Sequence, residues 1–194
     1  MDVYGKIAKP FWDDRPVAIV SGGPSLVGFD FERLRGAHVL AIKSAITSMP
    51  WADACFGMGD FNGWRDKLDG VQSRVYWLVE EPERPAAKNF TFLKRLAGQN
   101  VSNDPSAIYS GGTSGFGAFQ VAMHKKAKRI VLFGFDYEGV NADGKWLIWA
   151  EHFRVYVPAI AQAGISVVNA CPQSAIGCFQ KCTLDDGVAM LHKH

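Results

Sequence analysis

The stretch VAIVSGGPSLVGFD, residues 17–30, sets the reading of the whole chain. Four apolar residues run into Gly22, Gly23, Pro24 and Ser25, and a helix-like segment follows. A strand that stops at glycines and reopens as a helix leaves bare backbone N–H groups where an anion can approach closely. The loop is not a Walker A, because no Gly-Lys-Ser/Thr follows, and it is not Gly-x-Gly-x-x-Gly, because the third glycine is missing and Gly28 falls elsewhere. A tight strand-to-helix turn with no ligand is the plain alternative.

Further apolar runs recur at HVLAIK (38–43), ADACFGMGD (52–60), RVYWLVE (74–80), RIVLFGFD (129–136) and ISVVNA (165–170). None alternates cleanly between apolar and polar, so each reads as a strand buried on both faces of a parallel sheet. Helical periods lie between several of them. In TSGFGAFQVAMHKKAK (113–128), Phe116, Phe119, Val121 and Met123 face inward while Lys125, Lys126 and Lys128 are expected to be solvated at the helix end. A second helix is expected from about Ile148 to Ala163, closed by Gly164.

The pattern predicts an α/β fold: a Rossmann-like, doubly wound, mostly parallel sheet with helices on both faces and a short lid. Residues 1–14 read as an N-terminal arm rather than a core element, and 15–194 as one domain with a lid-like segment at about 138–152. The proline-rich, charged stretch 80–90 and the turn-rich stretch 138–146 are the expected loops or lids.

With 194 residues and 48% hydrophobic content, one domain with a substantial core is expected. The formal charge of +2 gives only a weak long-range field, so nothing demands a nucleic-acid partner. No run approaches the ~20 apolar residues of a membrane span, so no membrane association is expected. The cysteines, Cys55, Cys171, Cys178 and Cys182, form no Cys-x-x-Cys pair, and no basic-then-apolar leader precedes them. A reduced, cytoplasmic protein is the expectation. A closed zinc site on the last three would need His192 or His194 as fourth ligand, and ordinary thiols are the simpler reading; no metal site is assigned.

Ligands of open parallel sheets sit beyond the carboxyl ends of the strands. The residues there are Ser21 to Ser25, Lys43 and Ser44, Asp60 and Asn62, Asp136 and Tyr137, and Asn169 to Ser174. A second glycine-rich helix start, SGGTSGF (110–116), has Thr113 or Ser114 as its cap and offers further backbone amides, although plain capping explains it too. Lys43 could act as a point-charge clamp on phosphate. Asp60 and Asp136 could serve ribose hydroxyls, a metal, or only a neighbouring helix N-terminus. His152 lies after the turn-rich segment, near the start of the expected helix. Imidazole titrates near neutrality, which suits a general base on an acceptor hydroxyl; an ordinary amphipathic-helix histidine is the alternative. Of the tryptophans, Trp64, Trp146 and Trp149 could floor a sugar or base pocket, whereas Trp51 after Pro50 reads as packing.

The ordered set SGGPSL, PWADACFGMGD, GGTSGFGAFQVAMHKKAKRIVLFGFDY and GISVVNACPQSAIGCF resembles a phage and prophage family within the hydroxymethylpterin diphosphokinase-like group. It is also similar to bacterial sialyltransferases that use a CMP-activated sugar. The latter resemblance implies a nucleotide-holding loop at Gly22 to Leu26, with Ser21 and Gly22 replacing that family's Gly-Asn pair. It implies a donor-contacting helix start at Thr113, Ser114 and Gly115, and a turn beside the nucleotide base at Cys171, Pro172, Gln173 and Ser174. His152 would be the general base. Lys43 stands where that family has an asparagine, and its tyrosine pair is represented at most by Tyr137, so CMP-sialic acid itself is not the expected donor. The implied function is a nucleotide-binding transferase, first a metal-independent glycosyltransferase using a nucleotide or nucleotide-sugar donor. The alternatives are an ATP- and Mg²⁺-dependent diphosphokinase, with Asp60 or Asp136 as metal ligands, and a non-catalytic nucleotide-binding protein. The acceptor, a glycan or modified DNA, and the oligomeric state stay open.

Overall fold

Val17 and Ile19 face one side of the first strand and Ala18 and Val20 the other, and all four are fully buried. Such a strand has no solvated face, so it must lie in the middle of a covered sheet. The computed structural model describes residues 4–7, 9–80, 88–138 and 144–193. In it the chain forms β1 (Val17–Val20), β2 (His38–Ile42), α1 (Ala45–Ser48), β3 (Ala54–Met58), α2 (Asn62–Leu68), β4 (Arg74–Val79), β5 (Phe90–Leu96), β6 (Ala107–Tyr109), α3 (Ser114–His124), β7 (Arg129–Phe133), α4 (Trp146–His152), α5 (Tyr156–Ala163), β8 (Ser166–Asn169), β9 (Gln180–Lys181) and α6 (Leu184–His192).

The sheet order is β6-β5-β4-β3-β2-β1-β7-β8-β9, and every neighbouring pair is parallel. The chain builds outward from β1 to β6, crosses back through α3, and continues from β7 on the other side of β1. That reversal puts a topological switch point between β1 and β7, as a doubly wound α/β fold requires. One face is covered by α3, Phe153 and Tyr156, the other by Leu34, Ile46, Leu68 and Leu191. Gly117 lets α3 lie close on the sheet, since a Cβ there would stand 2.6 Å from the Phe56 ring. Gln120, fully buried on α3, accepts from Ser102 N–H at 3.1 Å and donates to the Tyr109 carbonyl at 2.9 Å, which ties the crossover helix to the edge of the sheet.

All six expected strands form. Three more were not anticipated: β5 carries Lys94 and Arg95 and is only partly buried, and β6 and β9 have three and two residues, too few for a period to register. The helix expected from Ile148 to Ala163 is instead two, parted by a 3-10 turn at Phe153–Val155. Pro158 explains the break: its ring would collide with the carbonyl of Arg154 in a continuous helix, whereas the first turn of α5 tolerates it. Gly164 closes α5 in the left-handed conformation, as expected. Of the expected lid at 138–152, residues 139–143 lie outside the described residues, and 146–152 is α4. Most of the expected 80–90 loop, residues 81–87, is outside them as well.

Two expectations near the N-terminus are corrected. Ile7 and Trp12 are buried core residues rather than parts of a detached arm, with Gly5 N–H donating to Phe92 O and Ile7 N–H to Pro105 O. Lys125 is 2% exposed rather than solvated. Its ammonium donates to the Pro10 carbonyl at 3.0 Å and sits 5.3 Å from the Trp12 ring centroid, and burial, with Arg74 adding to it, pulls it down to about 8.

Trp12 also stacks on His38, 5.5 Å between centroids, and His38 is held from both sides. Its Nδ1 lies 3.2 Å from Asp53 Oδ1 and its Nε2 2.8 Å from Asp14 Oδ1. Carboxylate oxygens accept, so the protonated ring, with both nitrogens donating, satisfies both contacts, while the Arg15 guanidinium lies 3.3 and 3.4 Å from the same two nitrogens. Burial alone pulls the His38 pKa down, but the bonds to Asp53 and Asp14 outweigh it and hold it above its usual value, against a smaller opposing effect of Arg15. A raised folded value means that the stabilisation is complete below the unfolded value of 6.5 and disappears as pH rises through the folded one. Thermal melts should therefore show Tm falling above pH 6.5 in the wild-type chain, and an Asp53→Asn chain should melt lower and lose most of that slope.

Candidate active site at the sheet switch point

β1 ends at Val20 and β7 at Phe133, and the ladder runs one step further through Ser21 N–H to Phe133 O at 2.9 Å. Beyond it the two chains separate into the loops Ser21–Ser25 and Gly134–Tyr137. A cleft of about 290 Å³ opens between them, lined by Ser21, Gly22 and Gly23, by Gly134, Asp136 and Tyr137, and by Thr113, Trp146 and Trp149. It lies where ligands of open α/β sheets bind.

Asp136 organises the floor. One oxygen accepts from Ser25 N–H at 3.0 Å and the other from Ser25 Oγ at 2.9 Å, which caps the 3-10 turn Pro24–Leu26. The Cys171 thiol donates to it at 3.5 Å; burial, then the Asp136 charge, pushes that thiol up, so it remains a donor. Gly23 packs directly on this carboxylate, and a Cβ there would stand 1.8 Å from Asp136 Oδ2 and 2.3 Å from the Gly134 carbonyl. Gly22 is different. Its backbone is outside the positive-φ region, and a Cβ would meet nothing within 4 Å.

Thr113 caps α3 by accepting from Phe116 N–H at 3.2 Å, and its hydroxyl pairs with Tyr137 OH at 2.9 Å. Ser114 and Gly115 form the first turn of the helix, where backbone N–H groups have no intrahelical partner. Tyr137 stands at φ +53, a strained conformation for a residue with a Cβ, held by Phe135, Phe153 and Trp146 around its ring. Burial pushes its phenol up to about 12, so it is a neutral hydroxyl at ordinary pH.

His152 is the last residue of α4 rather than the start of a long helix, and does not itself line the cleft. It follows Trp149 by three residues, so the two share a helix face. Its Nδ1 lies 2.8 Å from the Gly111 carbonyl, two residues before Thr113. A carbonyl only accepts, so Nδ1 carries a proton, and the neutral ring keeps its acceptor lone pair on Nε2.

The remaining sequence candidates lie elsewhere. Lys43, at φ +49, turns its ammonium onto Trp64, 5.5 Å from the ring centroid, and burial lowers its pKa; it does not line the cleft. Asp60 is exposed and accepts from Asn62 N–H and Gly63 N–H at 3.0 and 3.2 Å, so it serves the start of α2. Ser174 is buried and donates to the Phe135 carbonyl at 2.6 Å, bracing the β7 loop, while Pro172 and Gln173 are exposed outside the cleft. The four cysteines are free thiols, and among the described residues no three His, Cys, Asp or Glu cluster as a metal site would need. Two contributors were not singled out from sequence, Gly134 and Gly111. Gly134 was legible as a glycine ending the apolar run RIVLF; Gly111 acts through its carbonyl, a group the sequence does not mark, although its left-handed backbone and the Phe116 ring beside it demand glycine there.

Neither a protein-family model nor a curated protein matches the chain, so the phage-family resemblance rests on sequence motifs alone. Among solved structures, thiamine pyrophosphokinase from Bacillus subtilis aligns with a TM-score of 0.40 and 17% identity over 79% of this chain. The chain spans only 59% of that protein. The sialyltransferase CST-II, in complex with a trisaccharide acceptor and CMP, aligns with a TM-score of 0.47 and 15% identity over 93% of this chain and 88% of that one. Likeness at this level concerns architecture and says nothing of activity. No helix among the described residues is long and apolar enough to cross a membrane.

The glycine contrast gives a direct check. Gly23→Ala should lower Tm by at least about 4 °C, the consequence of an overpacking cost of about 2 kcal/mol in a chain of this size, because Asp136 and the Gly134 backbone must both move. Gly22→Ala should melt within about 1 °C of wild type.

Proposed function

We propose that the chain is a nucleotide-binding transferase, and specifically a metal-independent glycosyltransferase acting on a nucleotide-activated sugar. The observation that carries this reading is the switch-point cleft itself, where two glycine-rich loops, one of them opening the eleven-residue helix α3, converge on one volume beside His152. The N–H groups of Gly22 and Gly23, the positive end of α3 and the hydroxyls of Thr113 and Tyr137 form the phosphate cradle.

The charge around the cleft supports a lightly charged donor. Among the described residues no Lys or Arg lines it, and the Asp136 carboxylate there accepts from Ser25 and Cys171, neutral donors that bring no counter-charge. A triphosphate would meet repulsion there without a counter-charge. The diphosphokinase alternative would need Mg²⁺ on Asp60 or Asp136. Those residues end β3 and β7, three strand spacings or about 14 Å apart, and both carboxylates are engaged with backbone N–H groups. They do not fit a shared magnesium site, and no step is assigned to one.

In the proposed reaction the acceptor hydroxyl attacks the anomeric carbon as the bond from that carbon to the phosphate oxygen breaks. His152 Nε2 takes the acceptor proton, with Nδ1 anchored on Gly111. The cradle stabilises the charge gathering on the departing phosphate. Trp146 and Trp149 floor the part of the cleft nearest His152, and aromatic faces suit the apolar face of a sugar ring.

A thermal-shift panel of CMP, CDP, UDP, GDP, ADP and ATP, each with and without Mg²⁺, tests the reading. A nucleotide that stabilises the chain without metal supports it. Stabilisation by ATP only with Mg²⁺ favours the diphosphokinase, and no shift with any nucleotide removes the phosphate cradle. With the donor class named, His152→Ala should retain the shift and lose roughly 10²–10⁴-fold in transfer rate, measured as nucleotide release. A protein that only binds nucleotide would show no turnover for either chain.

A further inference from the structure

Gly22 and Gly23 form a ridge with a cleft on each side. Together with Ser21 they border the switch-point cleft, and the same three residues border a second cleft of about 360 Å³ toward β2 and α1. The two walls of this second cleft differ. One is apolar, from Leu26, Val27 and Phe31, and Val27 is 88% exposed, a large apolar side chain left in water at the end of the 3-10 turn. The other is formed by Ser44, Thr47 and Ser48, all exposed, with the Thr47 hydroxyl donating to the Ser44 carbonyl at 2.7 Å and so open to a ligand as an acceptor. Among the described residues no charged side chain lines either wall.

At Gly22 the ridge between the clefts is bare although nothing among the described residues requires it. Gly23 must be glycine because Asp136 occupies the space a Cβ would take, but Gly22 has neither a left-handed backbone nor a neighbour to avoid. Its missing side chain leaves the border shared by the two clefts open. A ligand lying across Gly22 would meet peptide N–H groups at its middle and have one end in each cleft.

We infer that the second cleft holds the nucleoside of the donor, with the phosphate across Gly22 and the transferred sugar in the switch-point cleft; this rests on the transferase reading above. The position of His152 sets the direction. The reacting carbon belongs to the sugar, so the sugar must lie on the side of the ridge where His152, Gly111 and Trp149 stand. The nucleoside then takes the other side, where an uncharged base can lie on Val27 and Phe31 while ribose hydroxyls and base edges pair with Ser44, Thr47 and Ser48.

The test is a set of wall substitutions read by nucleotide-induced thermal shift and calorimetric affinity. Ser48→Trp and Val27→Trp, at exposed positions on opposite walls, fill the second cleft, and Trp149→Ala empties the floor of the first. The probe is whichever of CMP, UDP, GDP and ADP stabilises the wild-type chain. Each unliganded variant is first melted to show that it folds. The expected result is at least a tenfold loss of affinity in Ser48→Trp and Val27→Trp, with Trp149→Ala within about threefold of wild type. Loss in Trp149→Ala with retention in both cleft-filling variants, retention in all three, or loss in all three overturns the assignment. A wild-type chain that binds none of the probes fails the transferase reading itself, which separates the two failures.

Discussion

The carboxylate of Asp136 holds the functional end of this molecule together. It lies at the end of β7, is 6% exposed, and accepts from the Ser25 backbone N–H, the Ser25 hydroxyl and the Cys171 thiol, so one side chain ties together the loops that follow β1, β7 and β8. A buried carboxylate is tolerable only when its oxygens are satisfied, and hydrogen bonds to a charged acceptor are worth about 1.5–3 kcal/mol each. The shape of the Gly22–Gly23 ridge follows from it. Gly23 lies against the carboxylate, the 3-10 turn is capped by it, and the two clefts that share the ridge owe their outline to where that turn is pinned.

A second constraint comes from the crossover helix. α3 runs back beneath the sheet to deliver β7, and its N-terminus therefore emerges at the same switch point that β1 and β7 create. Its aromatic face carries Phe116 and Phe119, which pack on Tyr156 at 4.6 and 4.5 Å between centroids. Tyr156 donates to the Phe116 carbonyl at 2.7 Å, so α5 is fastened to α3 by both packing and a hydrogen bond. Through Phe153 the same cluster reaches Tyr137, whose hydroxyl meets Thr113. The start of α3 and the helix that bears His152 thus rest on one aromatic assembly, the kind of support that the proposed base and anion site would need.

Electrostatics at the two ends of the sheet differ in kind. At the N-terminal end, His38 lies between two carboxylates that raise its pKa, with Lys125 and Arg15 nearby, and the segment containing Trp12 packs on them. At the carboxyl end, no lysine or arginine among the described residues lines the cleft, and the proposed anion site would draw its field from peptide dipoles. Fixed charges secure the structure at one end, while backbone N–H groups and neutral hydroxyls serve the site at the other.

Much of this was legible in the chain itself. Continuous apolar runs can be satisfied only by burial on two faces, so VAIV, HVLAI and RIVLF specified central parallel strands, and the glycines beyond VAIV and RIVLF marked where a ligand can approach backbone. Side-chain direction was not legible. The same one-dimensional signal, a polar residue after an apolar run, covers Asp136, which clamps three loops, Asp60, which caps a helix, and Lys43, which turns onto Trp64. The break at Pro158 could have been foreseen from local sterics, but the burial of Lys125 and Trp12 could not, because it depends on contacts between residues more than a hundred positions apart. Local periodicity determined which segments are strands and helices. Only the folded chain decided which strand ends become neighbours, because strand order, and with it the meeting of Gly22, Thr113 and Asp136 in one cleft, is set by long-range packing that no short stretch of sequence contains.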